Sequence, residues 1–178
     1  MAYIELGNDL PGIVGLLNYR PRTGRPLSAL AETILRSENS LSPGEREMIA
    51  AYVSRLNECQ FCTSSHSAFA AAQLPGGEGL IGQVLAEPEQ AELSAKLKAL
   101  LRVAAKVQQS GRAVTAADVE AAREAGASDE EIHDAVLIAA AFCMFNRYVD
   151  GLATFTPTDQ QQYDAMGARM AAEGYVTT

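Results

Sequence analysis

The chain has 178 residues, 48% of them hydrophobic, with three cysteines and a formal net charge of −8. That length and apolar content suffice for one globular domain across residues 1–178, and the acidic balance argues against nucleic acid or an anionic membrane as partner, since both need basic surface. The opening MAYIELGNDLPG has neither the basic nor the apolar region of a signal peptide, the longest apolar run (135–145) is too short for a bilayer, and an odd cysteine count suits a reducing compartment, so a cytoplasmic protein is expected.

In chain order, 10–19 predicts a short helix with Pro11 suited to its first turn. The stretch 20–26, with Pro21, Gly24 and Pro26, reads as a loop, and Leu27 to Arg36 as a second helix with Leu27, Leu30, Ala31 and Ile34 on one side. Ser42-Pro43-Gly44-Glu45 is a capping box with proline at the first helical position. The helix it opens carries Met48, Ile49, Tyr52, Val53 and Leu56 as an apolar stripe. A helix over 61–73 follows and is stopped by Pro75-Gly76-Gly77. A short helix over 79–86 precedes a long one over 89–109, with Leu93, Leu97, Leu100, Leu101, Ala104 and Val107 inward. Capping boxes at Thr115–Asp118 and Ser128–Glu131 open two more helices, the second apolar all round in its middle and therefore expected to be central and buried. Thr158-x-x-Gln161 is expected to open the last helix. No strand-like alternation competes, so the chain reads all-α.

The chemistry concentrates in Cys59-Gln60-Phe61-Cys62 with His66 four residues further on. Both cysteines fall at a helix start, where free backbone N–H groups favour an anion, here a thiolate. Side chains three or four apart share a helix face and lean toward its N-terminus, so His66 leans onto Cys62 and Cys59 lies one turn beyond, at a spacing compatible with a disulfide. In a reducing compartment such a pair is more often redox-active or metal-binding than structural. If the helices before and after Cys59 fold back on each other, Glu47 and His66 are offset by about four residues, or ~6 Å along the axis. That suits a water-bridged contact, or a direct one where the helices cross. Glu45 is assigned to the cap and Glu58 to solvent. Cys143 reads as a packed small hydrophobe, His133 as a surface residue, and Arg147 and Asp150, three apart, as a helix salt bridge. Asn146 shares a face with Cys143 and Asp150.

The pattern Glu47, eleven residues, Cys59-x-x-Cys62, three residues, His66 resembles the alkylhydroperoxidase D-like branch of the carboxymuconolactone decarboxylase superfamily. The text through Phe145-Asn146-Arg147 is similar to that family's peroxidase-related members. The resemblance implies an all-helical, single-domain fold assembled as a homo-oligomer, a trimer or a hexamer. It also implies that Cys62 attacks a hydroperoxide substrate, Cys59 resolves, and Glu47 and His66 form a proton relay. No cofactor is implied beyond the redox-active Cys59–Cys62 disulfide and an external dithiol or disulfide-reductase electron donor. One departure stands out: alkylhydroperoxidase D has a second histidine where this chain has Phe61. Two other readings stay open at this stage: a non-catalytic helical oligomer that binds metal or senses oxidant, and a lactone decarboxylase-like enzyme on the same fold.

Overall fold

A computed structural model describes residues 2–175. The elements are α1 (Gly12–Tyr19), α2 (Pro21–Arg36), α3 (Pro43–Leu56), α4 (Gln60–Ala71), α5 (Gly77–Ala86), α6 (Ala95–Gln109), a 3₁₀ turn (Gly111–Ala113), α7 (Ala116–Glu124), α8 (Asp129–Gly151) and α9 (Gln160–Glu173). No strand occurs among the described residues, so the all-α reading holds. The three capping boxes do what their spacing predicts. Ser42, Thr115 and Ser128 each accept from the backbone N–H three residues on, and Glu45, Asp118 and Glu131 each return a bond to the cap's own N–H.

Three boundaries differ from the expectation. The stretch read as a loop before Leu27 is helix: Pro21 occupies the first position of α2, where it needs no N–H, and Pro26 is accommodated inside. Gly24 makes the tight corner with α1 possible, because a Cβ there would lie 2.3 Å from the Leu17 carbonyl oxygen. The long helix expected from Glu89 begins at Ala95, since Ser94 takes the cap and accepts from the Leu97 N–H. Asp159, not Thr158, caps α9 by accepting from the Gln161 N–H; its carboxylate is the better acceptor for a helix start.

The main core is built from α2, α3, α5, α6 and α8 around Met48, Ile49, Val53, Leu100, Ile138 and Phe142. A second cluster joins Cys59, Phe61, Cys62 and Phe69 of α4 and its cap to Val149 and to Tyr163 of α9. Helices α3 and α4 form the most extensive pair, folded back on one another, with α9 lying on α4 and α8 on both α3 and α6. Gly167 lets α9 approach closely, as a Cβ there would be 2.7 Å from the Ala68 carbonyl oxygen.

Helix α8 is central but not buried all round. Its Ile132, Ala135, Ile138, Ala139, Phe142 and Phe145 face the core, while Leu137 and Met144 stay exposed because none of the described elements covers that side. By length and composition it could cross a membrane, yet half of its most apolar stretch is buried inside the protein and its first turn carries Asp129, Glu130 and Glu131.

Candidate active site

The site begins with how α3 ends. Cys59 N–H reaches back to the Ser54 carbonyl at 3.1 Å and Glu58 N–H to Arg55 at 3.1 Å, the paired bonds of a Schellman motif. Glu58 occupies the left-handed position of that motif with φ 60°, where glycine is usual. Helix α7 ends with the same bond pattern, and there the position is filled by Gly126 at φ 95°. This stop delivers Cys59 directly as the N-cap of α4 and places Cys62 in its first turn.

The turn is held from behind by an amide network. Asn57, the C-cap of α3, donates to Asn146 Oδ1 at 2.8 Å, and Asn146 Nδ2 donates to Ser54 Oγ at 3.0 Å. Gln108 Nε2 donates to Asn57 Oδ1 at 2.9 Å. Asn146 is thus a buried tie between α8 and the end of α3. Cys143 is half-buried beside Asn57. Arg147 does not take up Asp150; its guanidinium donates to the Cys143 carbonyl at 2.7 Å, a nearer partner one turn back on the same helix. His133 is exposed, and its Nδ1 lies 2.9 Å from Asp134 Oδ1.

All three cysteines are free thiols, and Cys59 and Cys62 are both buried. The hydrogen bond to Cys62, together with burial, pushes the Cys59 thiol well above the ordinary cysteine range. His66 and Glu47 meet directly: Nδ1 lies 2.6 Å from Oε2, and Glu47 has no solvent exposure. The helices therefore cross closely enough that no water is needed between them. With Glu47 as carboxylate, Nδ1 carries the hydrogen and Nε2 is the nitrogen left for proton exchange. The imidazole is wedged edge-on against Phe142 at 4.5 Å and Phe69 at 5.2 Å, which fixes its plane.

A cavity of about 240 Å³ opens onto Cys62 and His66 but not onto Cys59. Its walls are largely apolar, Phe61, Phe69, Phe142 and Phe145 among them. Phe61, the residue before Cys62, forms part of that wall. It is pinned there by Gly12 (φ 53°), where a Cβ would stand 2.2 Å from its ring, and by Tyr163 at 6.2 Å. Ser65 lines the cavity with a buried hydroxyl that finds no hydrogen-bond partner among the described residues. Among the described residues no three His, Cys, Asp or Glu side chains cluster so as to hold a metal ion.

Sequence reasoning missed Tyr175. Its hydroxyl donates to Glu47 Oε1 at 2.6 Å, a contact across 128 residues that no local pattern announces.

The family model of the carboxymuconolactone decarboxylase family matches residues 21–74 and 79–156. No curated protein matches the sequence. Among solved structures, an uncharacterized peroxidase-related protein with an alkylhydroperoxidase AhpD core from Ralstonia eutropha JMP134 is 28% identical with a TM-score of 0.77, over 89% of this chain and 82% of that one. An uncharacterized peroxidase-related protein from Silicibacter sp. TM1040 is 27% identical with a TM-score of 0.78, over 86% and 78%. A protein of unknown function from Agrobacterium tumefaciens, 22% identical with a TM-score of 0.67 over 81% and 97%, shares the fold.

Proposed function

This chain belongs to the carboxymuconolactone decarboxylase family, and from the site it carries we propose that it is a thiol-dependent peroxidase that reduces organic hydroperoxides through Cys62, Cys59, His66 and Glu47. The observation that carries the reading is the cavity, which reaches Cys62 and His66 while Cys59 stays sealed behind them. A volume of about 240 Å³ has room for roughly eight water-sized groups at ~30 Å³ each. Hydrogen peroxide would leave most of that apolar space empty, whereas an alkyl or aryl hydroperoxide fills it.

In the proposed cycle the Cys62 thiol gives its proton to His66, and the thiolate attacks the distal oxygen of ROOH. An S–O bond forms and the O–O pair leaves on RO⁻, which takes the proton from His66 Nε2 and departs as ROH. Cys62 is now a sulfenic acid. The Cys59 thiol attacks that sulfur, an S–S bond forms and water leaves. An external dithiol, in a cytoplasmic setting, supplies the two electrons and two protons that restore both thiols. Cys59's raised proton affinity, set first by its hydrogen bond to Cys62 and then by burial, suits a thiol that donates to Cys62 and resolves second.

The magnitudes say which group matters most. Lowering a thiol pKa from ~8.5 to ~6.5 raises the thiolate share at pH 7 from ~3% to ~75%. Nucleophilicity falls with basicity, and a slope of ~0.4–0.5, taken by analogy from thiol–disulfide exchange, returns ~6- to 10-fold of that gain. Donation of a proton to the leaving oxygen is worth ~10²–10⁴-fold. His66 as general acid, oriented by its hydrogen bond to the buried Glu47, is therefore the larger contributor. The test is consumption of cumene hydroperoxide with and without dithiothreitol. Turnover that requires the dithiol supports the reading; absence of dithiol-dependent turnover contradicts it.

A further inference from the structure

Glu47 has two carboxylate oxygens, and His66 engages one of them. The other, Oε1, accepts from the Tyr175 hydroxyl at 2.6 Å. That hydroxyl also lies 3.4 Å from His66 Nδ1, and the phenol ring stacks 17° from parallel with the imidazole at 6.4 Å. Burial, followed by the Glu47 charge, pushes the Tyr175 hydroxyl well above its ordinary value, so it remains a donor through the neutral range.

Tyr175 is carried into this position by a built structure. Its N–H donates to Glu32 Oε2 at 2.7 Å. Gly174, at φ 77°, brings the chain so close to Glu32 that a Cβ would stand 2.6 Å from that carboxylate. Arg36 Nη2 donates to the Ala171 carbonyl at 3.1 Å, clamping the end of α9 to α2. Ala171, Gly174 and Tyr175 lie beyond residue 156, where the family match ends, while Glu32 and Arg36 lie within it. The same C-terminal segment contributes Met166, Arg169 and Met170 to the cavity wall.

We propose that Tyr175 is a positioning residue of the relay, acting through Glu47, and that the segment α9–Tyr175 completes the site. By holding Oε1 the phenol fixes the rotation of the carboxylate, so that Oε2 faces Nδ1 and the imidazole keeps its hydrogen there and Nε2 toward the cavity. The inference rests on the peroxidase reading for its kinetic consequence, and on geometry alone for its effect on the imidazole.

Two measurements test it. Tyr175→Phe removes only the hydroxyl and keeps the packed ring. It should lower kcat/KM for cumene hydroperoxide roughly tenfold, near the low end for one charge-assisted hydrogen bond. In a Glu47→Gln background the same change should cost less than ~2-fold, because the group it acts through is already altered. Equal losses in both backgrounds would overturn the proposal, since they would mean a general packing role. Independently of activity, ¹⁵N spectra of the two imidazoles resolve buried His66 from exposed His133, the internal reference. Tyr175→Phe should move the His66 Nδ1 resonance toward a mixture of tautomers and leave His133 unchanged. An unmoved His66 spectrum would overturn the proposal even where no peroxidase activity is found; a moved spectrum with no activity would sustain the positioning and count against the peroxidase reading alone.

Discussion

Glu47 is a buried carboxylate with two partners, and its cost explains why both are needed. A carboxylate out of water is tolerated only when paired and hydrogen-bonded, and removing one partner of a buried pair costs ~3–5 kcal/mol. His66→Ala should therefore do two things at once: lower thermal stability measurably and slow single-turnover oxidation of Cys62 by ~10²-fold or more. Glu47→Gln keeps the volume and should slow the reaction less, as it acts through His66. Stopped-flow reaction of the reduced protein with cumene hydroperoxide separates these outcomes; a silent Glu47→Gln would remove the carboxylate from the relay. Cys59, Cys62 and His66 were legible in the sequence because they lie within eight consecutive positions, whereas Glu47 was named by the resemblance and helix arithmetic only put it within reach of His66. Tyr175 was not legible, since its contact depends on where α9 docks, and docking is decided by Gly167 against α4 and Gly174 against Glu32, not by any local pattern.

At the scale of elements, the connection between α3 and α4 stores a small strain at Glu58. A left-handed non-glycine residue costs about 1–2 kcal/mol, while glycine adds about 0.5–1 kcal/mol of unfolded-state entropy. Glu58→Gly should thus leave stability unchanged or raise it by up to ~1.5 kcal/mol in urea unfolding. A clear loss would mean that the Glu58 side chain itself holds the turn. The α6–α7 tie has a pH signature. Asp118 is held at about 2, chiefly by the Lys106 hydrogen bond and then by Thr115, against an ordinary 3.8. A carboxyl lowered on folding stabilises fully above its unfolded value and loses that contribution as pH falls through its folded one. Acid unfolding between pH about 4 and about 2 should accordingly be shallower in Asp118→Asn than in the parent, read by circular dichroism; identical curves would show that the pair contributes nothing. Helix caps of the Ser/Thr-x-x-acid type were readable because each is a short-range exchange of two hydrogen bonds. The start of α2 was not, because Pro21 and Pro26 look like loop residues until the Gly24 contact with Leu17 makes the corner.

At the scale of the molecule, the side of α8 bearing Leu137 and Met144 stays uncovered, at 38% and 44% exposure, in a helix whose other side forms the core. We expect copies of the chain to cover it, as the sequence resemblance to an oligomeric family also implies. Light scattering at micromolar concentration should give a trimer or a hexamer, and Leu137→Glu should shift it toward smaller species. A monomeric parent would contradict this. The all-helical architecture was legible from caps and periodicity alone. The open side of α8 was not, because a helix apolar all round looks the same in sequence whether its second face meets its own chain or another.

The central claim is that hydroperoxide reacts at Cys62 and that Cys59 resolves. Its most direct test is stoichiometric titration of the reduced Cys59→Ser and Cys62→Ser proteins with cumene hydroperoxide, without reductant, followed by intact-mass and peptide analysis after dimedone trapping. The account predicts that Cys59→Ser consumes about one equivalent and carries a trapped sulfenic acid on Cys62, while Cys62→Ser consumes none. Oxidation of Cys59 in Cys62→Ser, with Cys62 left reduced in Cys59→Ser, would reverse the assigned roles, and no reaction at either cysteine would contradict the account.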